Sequence, residues 1–172
     1  MRLPKRRSQI LRLTSFAEDD GNLYLTPSAI ERLTHQLARL VKQERPSVVE
    51  ELSAAAQKGD LRENAEYQDA RARLSRMDGR IFGLQERIKN AISIPDNAGR
   101  SGRVQIGCTV VLRADGKEQI FQILGSYESS PAHGRISHLS PLGSALLDHQ
   151  VGERITINRP HGEMTYEIVE IR

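Results

Sequence analysis

The stretch "KGDLRENAEY", Lys58 to Tyr67, breaks the helical half of a 172-residue chain with an acidic turn. Three of its ten residues are carboxylates, and only Leu61 is strongly apolar. A helix seam runs up to it from each side. Before it, Ile30, Leu33, Leu37 and Leu40 recur at spacings of three, four and three, a heptad pattern. Pro46 interrupts that seam and predicts a kink or local break. The seam then resumes at Val48 and Leu52 and runs through Ala54 to Ala56. After the turn, Leu74, Met77, Ile81, Leu84 and Ile88 form a second seam, which "IPDNAG" at 94–99 ends.

The two seams are in register only if the chain folds back on itself. Residues paired across an antiparallel hairpin have numbers of constant sum. Val48 with Leu74 and Val41 with Ile81 both give 122, while Leu37 with Leu84 and Leu33 with Ile88 give 121. The centre of symmetry is residue 61, inside the acidic stretch. From Ile30 to Leu61 the helix rises about 46 Å. The turn therefore sits at the end of a long rod, and an elongated molecule is expected. Thr26 and Pro27 suit the N-cap and first turn of the helix that begins the rod.

Residues 104–172 have a different pattern. "GCTVVLRADGKEQIFQILG" is two β-rich runs around Ala114-Asp115-Gly116-Lys117, a hairpin signal. "SPLGSALLDHQ" predicts a short helix capped by Ser140, and "ERITINRPHGEMTYEIVEI" a second hairpin turning at Pro160 to Gly162. The fold class expected is α+β: an antiparallel coiled-coil hairpin at 24–94, a linker at 95–103 and a small α+β domain at 104–172. Residues 1–23 carry Lys5, Arg6 and Arg7 and then "EDDGN", and are expected to form a partly disordered tail with a short helix at 8–16.

Composition sets outer limits. The net charge is +3, with Lys and Arg mildly enriched before residue 93, which permits a nucleic-acid partner without requiring one. Cys108 is the single cysteine, so no internal disulfide forms, and its apolar surroundings predict a buried small hydrophobe. No run approaches the apolar length of a membrane span, and the basic N-terminus is not followed by a signal-peptide core. A reducing, cytoplasmic setting and no membrane partner are expected. His133, His138, His149 and His161 with Cys108 fit no metal-ligand spacing.

Asp60 and Glu63 are the chemically loaded residues. One reading is that they only cap the second helix, where a carboxylate suits the dipole. The other is that they present hard oxygen ligands to Mg²⁺, which keeps several waters and takes only one or two protein carboxylates. Two carboxylates make a poor site alone, so a partner would have to complete the shell.

The motif resembles the signature tip of the bacterial Gre transcript-cleavage factors. "GDLRENAEY" at 59–67 matches that tip, "QERPSVVEEL" at 43–52 resembles the family's first helix, and "SPLGSALLDHQVGERITI" with "PHGEMTYEI" resembles its C-terminal domain. The resemblance covers residues 24–172, and "EYQDARARLSRMDGRI" leans towards GreB. It implies an FKBP-like C-terminal domain that docks on RNA polymerase and a coiled coil that enters the secondary channel. It also implies that Asp60 and Glu63 share Mg²⁺ with the polymerase active site, which cuts backtracked RNA. The factor itself would be no enzyme and hold no cofactor alone. In this reading Gly59, Asn64, Glu66 and Tyr67 shape the tip, with Tyr67 packing opposite Ala55. Arg71, Arg73, Arg76 and Arg80 would guide the nascent RNA 3′ end, unless they form only a solvated helix face. Prolyl isomerase activity does not follow from an FKBP-like fold.

Two rivals stay open. Some Gre-like paralogues occupy the channel and inhibit transcription without stimulating cleavage. A free-standing metal-dependent hydrolase would need more ligands than the tip offers. A monomer is expected, since both seams are used within one hairpin.

Overall fold

The computed structural model describes residues 22–57, 64–95, 98–99, 101–159 and 162–172. The chain divides into two compact units. Among the described residues, one is Pro27–Ala91; the other unites residues 22–26 with those from Ile92 to Arg172. The tail helix expected at 8–16 lies outside the described residues.

The first unit is a helical hairpin. Helix α1, Pro27–Arg39, passes into a five-residue π turn, Leu40–Glu44, and then into α2, Arg45–Ala56. Helix α3, Ala65–Lys89, returns alongside. The break expected at Pro46 takes the form of that π turn. Proline has no N–H to donate and its ring crowds the carbonyl one turn back. Widening the turn immediately before it relieves both problems while the backbone stays in the right-handed helical region. The Arg45 N–H bonds to Leu40 O, a five-residue span.

The π turn also corrects one seam assignment. Val41, expected opposite Ile81, is 42% exposed, whereas Leu40 is 1% exposed. The extra residue in the wide turn shifts the phase between the seam of α1 and that of α2. Ala29, Leu33, Leu40, Val48 and Ala55 are buried on the outgoing arm, and Ala70, Ile81 and Leu84 on the returning one. Of the alanines at 54–56, only Ala55 is buried.

The second unit is a five-stranded sheet with a short helix. Strands β3 (Thr109–Ala114) and β4 (Lys117–Leu124) form the expected hairpin, with Ala114 paired to Lys117. Asp115 and Gly116 between them have φ of 51° and 73°, the two left-handed positions that a tight hairpin turn requires. Strands β6 (Arg154–Arg159) and β7 (Gly162–Ile171) form the second hairpin, and the tip residues 160 and 161 lie outside the described residues. A three-residue strand β5, Arg135–Ser137, adds in parallel to β4, giving the order β5-β4-β3-β7-β6. Helix α4, Pro141–Leu146, is capped by Ser140, whose Oγ accepts from the Gly143 N–H at 3.0 Å.

Tyr166, Leu112, Ile123, Leu146 and Ile168 lead the core, and Cys108 lies within it, fully buried. Ala98, in the segment expected to be a linker, is also part of this core and accepts from the Cys108 thiol through its carbonyl at 2.9 Å. Residues 23–25, at the edge of the expected tail, form strand β1 (Leu23–Leu25), which pairs with β2 (Ala91–Ser93). A Cβ on Gly125 would lie 1.9 Å from Tyr24 O, so only glycine admits β1 there. The molecule is therefore α+β, a helical hairpin followed by a sheet domain.

Candidate functional site

The end of the hairpin is built from both helices. Helix α2 stops at Ala56, and Gln57 closes it with its N–H on Ala54 O at 3.3 Å. Helix α3 starts from Asn64, which has extended backbone geometry (φ −82°, ψ 96°). The Asn64 side chain acts in two directions. Its Oδ1 accepts the Tyr67 N–H at 3.1 Å, a standard N-cap bond, and its Nδ2 donates to Ala55 O at 2.7 Å. One side chain thus satisfies an orphan donor of α3 and an end carbonyl of α2, and joins the two helices next to the turn. Glu66 lies in the first turn of α3, where its charge suits the dipole, and Tyr67 is half-buried.

Gly59, Asp60 and Glu63 belong to the connection 58–63, outside the described residues. The N-cap position is filled by Asn64, not by either acid. Among the described residues no group of three or more His, Cys, Asp or Glu is placed to hold a metal ion. Two tip carboxylates match the oxygen preference of Mg²⁺ but leave most of its octahedral shell to other molecules.

Behind the tip, ion pairs flank the apolar seam. Arg45 Nε bonds to Asp78 Oδ1 at 2.8 Å. The Arg73 guanidinium hydrogen-bonds to Glu51, and its Nε lies 3.0 Å from Asp69 Oδ2. Those cross-hairpin pairs sum to 123 and 124, close to the register read from the seams. The hydrogen bonds raise the pKa of each guanidinium above its ordinary value. Arg71, Arg76 and Arg80 are exposed and hold no ion pair among the described residues. Among the described residues, the four arginines expected to act together thus divide into one engaged in ion pairs and three that are not.

Sequence reasoning missed a second polar cluster, in the sheet unit. The Glu128 side chain is 2% exposed and is held by Thr26 and by Arg135, whose Nη2 is 3.4 Å away. Next to β1, His138 Nδ1 is 3.2 Å from Leu124 O and its ring meets Tyr24 edge-on at 5.2 Å. Thr26 and Glu128 are 102 residues apart, so no local period could link them.

Among known proteins, residues 23–92 match the family model described as transcription elongation factor, N-terminal, and residues 99–172 the one described as transcription elongation factor GreA/GreB, C-term. The transcription elongation factor GreA of Bacillus cereus (strain AH187) is 39% identical over 150 residues, covering 86% of this chain and 95% of that protein. That of Chloroflexus aggregans (strain MD-66 / DSM 9485) is 37% identical over 151 residues, with 87% and 96% covered. Both relatives are GreA factors by name and lend no support to the GreB lean of residues 66–81. Among solved structures, the GreA factor homolog 1 (Gfh1) protein of Thermus thermophilus aligns over 88% of this chain and 99% of that one, at 24% identity and a TM-score of 0.41. With both of its halves matched and relatives at this identity along most of its length, the chain belongs to the GreA/GreB family of transcription elongation factors.

Proposed function

We propose that this elongation factor acts on RNA polymerase by inserting its hairpin into the secondary channel, where Asp60 and Glu63 complete the polymerase's own site for cutting backtracked RNA. The observation that carries the reading is the closed end of the hairpin. Asn64 ties the start of α3 to the end of α2, and the six residues that connect them include both acids. Once Asn64 fills the cap, a purely capping role gives less reason for two carboxylates in that connection.

Asp60 and Glu63 would hold Mg²⁺ jointly with polymerase groups and orient the attacking water through their oxygens. When bound, Mg²⁺ supplies charge stabilisation and a more acidic water for phosphodiester hydrolysis. Gly59, Asn64, Glu66 and Tyr67 set the shape of the tip. Arg71, Arg76 and Arg80, exposed and without ion pairs among the described residues, offer guanidinium groups to the phosphates of the RNA 3′ end. The factor works as a monomer in the cytoplasm, is not itself an enzyme, and needs no membrane. No helix among the described residues is long and apolar enough to cross one.

The test is RNA cleavage in a stalled, backtracked elongation complex with wild type and Asp60→Asn/Glu63→Gln. The wild type shortens the transcript from its 3′ end; the double variant binds the polymerase equally well and leaves the transcript intact. If both bind, neither cleaves and both slow elongation, the hairpin is a plug and the proposal fails.

A further inference from the structure

Arg73 stands apart from the arginines around it. Its guanidinium is engaged by Glu51 across the hairpin and by Asp69 one turn back on α3. This trio carries one positive and two negative charges. An approaching phosphate would meet a net negative field and would have to displace a carboxylate. Arg76 and Arg80, on the same side of α3, present no such obstacle among the described residues.

The position of the pair explains what it does instead. At 3.6 residues per turn, Arg73 lies roughly 60° to one side of the Ala70-Leu74-Met77-Ile81 seam and Asp78 roughly 80° to the other. Their partners Glu51 and Arg45 lie on opposite sides of the Val48-Leu52-Ala55 seam in the same way. Ion pairs thus bracket the apolar interface on both flanks, as charged edge positions do in coiled coils. The bracketed stretch needs them. Its buried residues are Val48, Ala55 and Ala70, with Leu52, Leu74 and Met77 only half-buried, and alanine removes little area from water. Small side chains also interlock weakly, so the helices are poorly fixed against sliding by packing alone.

We infer that Arg73 is a positioning residue: through Glu51 it clamps α3 to α2 about 14 Å along the helix from Asn64, on the other flank of the seam from the Arg45–Asp78 pair, and holds the register of the two helices that lead to the acidic turn instead of an RNA phosphate. The effect on cleavage rests on the function proposed above; the clamp itself does not.

Arg73→Gln, Glu51→Gln and the double variant test it, each as the full chain. Amide hydrogen exchange over 48–56 and 65–73, measured without polymerase, is expected to rise about two- to fivefold in each single variant, the range that an exposed ion pair supports. The double variant should add little to either single one, since both remove the same contact. In backtracked complexes, both singles are expected to slow cleavage by a similar factor. Arg76→Gln/Arg80→Gln should leave the exchange as in wild type. The inference is overturned if Glu51→Gln leaves exchange unchanged. It is equally overturned if Arg73→Gln alone loses cleavage while Glu51→Gln matches or exceeds wild type, because Arg73 would then touch RNA. Should wild type not cleave at all, the exchange data still decide the clamp.

Discussion

The carboxylate of Glu128 accepts two hydrogen bonds from Thr26, at 2.6 Å from the backbone nitrogen and 2.8 Å from the hydroxyl. Hydrogen bonds to a charged group contribute more than neutral ones, and a partner left buried without them is costly. Glu128→Ala should therefore lower stability by about 3 kcal/mol, read from urea unfolding followed by near-ultraviolet circular dichroism; a loss below about 1 kcal/mol would contradict the role given to it. Cys108 is a second residue whose chemistry follows from its place. Burial pushes its thiol pKa up, with the Gln105 N–H pulling it down by less. Thiol reagents at neutral pH should modify the native protein far more slowly than the urea-unfolded chain. The folded pKa lies above the unfolded one. This contribution to stability is thus complete below about pH 8.5 and is lost as pH rises through the folded value. Native-state labelling as fast as that of the unfolded chain would refute the burial argument.

The elements divide by how local their causes are. Helix arms, both β-hairpins and α4 were legible in the sequence because each rests on a short period or a turn signal. Asp115-Gly116 and the Ser140-Pro141 cap are examples. Which of Leu40 and Val41, both placed at the interface by the sequence, is buried was not legible, because a heptad count assumes a constant turn and the π turn before Pro46 changes it. Strands β1, β2 and β5 span three residues each, too few for alternation to register, and depend on pairing with distant chain. Helix α3 carries a testable weakness. A Cβ on Gly79 or on Gly83 would meet nothing within 4 Å, yet both sit well inside the helix. Glycine there costs about 0.5–1 kcal/mol relative to alanine. Gly79→Ala and Gly83→Ala should each raise the thermal midpoint of the hairpin unit, followed by far-ultraviolet circular dichroism. A midpoint that falls would mean that the helix backbone there is not in the relaxed form described.

At the scale of the molecule, one unit is a helical hairpin and the other is a sheet domain with a closed apolar core. The reversal between α2 and α3 was legible because the symmetry of two seams points to residue 61, while Asp60 and Glu63 themselves lie outside the described residues. The split among the arginines was not, since residues at like helical positions differ only in which carboxylates reach them across the hairpin. In the function proposed above, Asp60 and Glu63 lend ligands to a metal site that the polymerase begins. The most direct measurement is the Mg²⁺ dependence of transcript cleavage in a backtracked complex, with wild type, Asp60→Asn and Glu63→Gln. Each substitution should raise the Mg²⁺ concentration for half-maximal rate by about tenfold or more, since a lost ligand weakens a shared site at least as much as a lost outer-shell partner. Binding to the polymerase should stay at the wild-type level. Unchanged Mg²⁺ dependence in both variants, with cleavage intact, would contradict the claim.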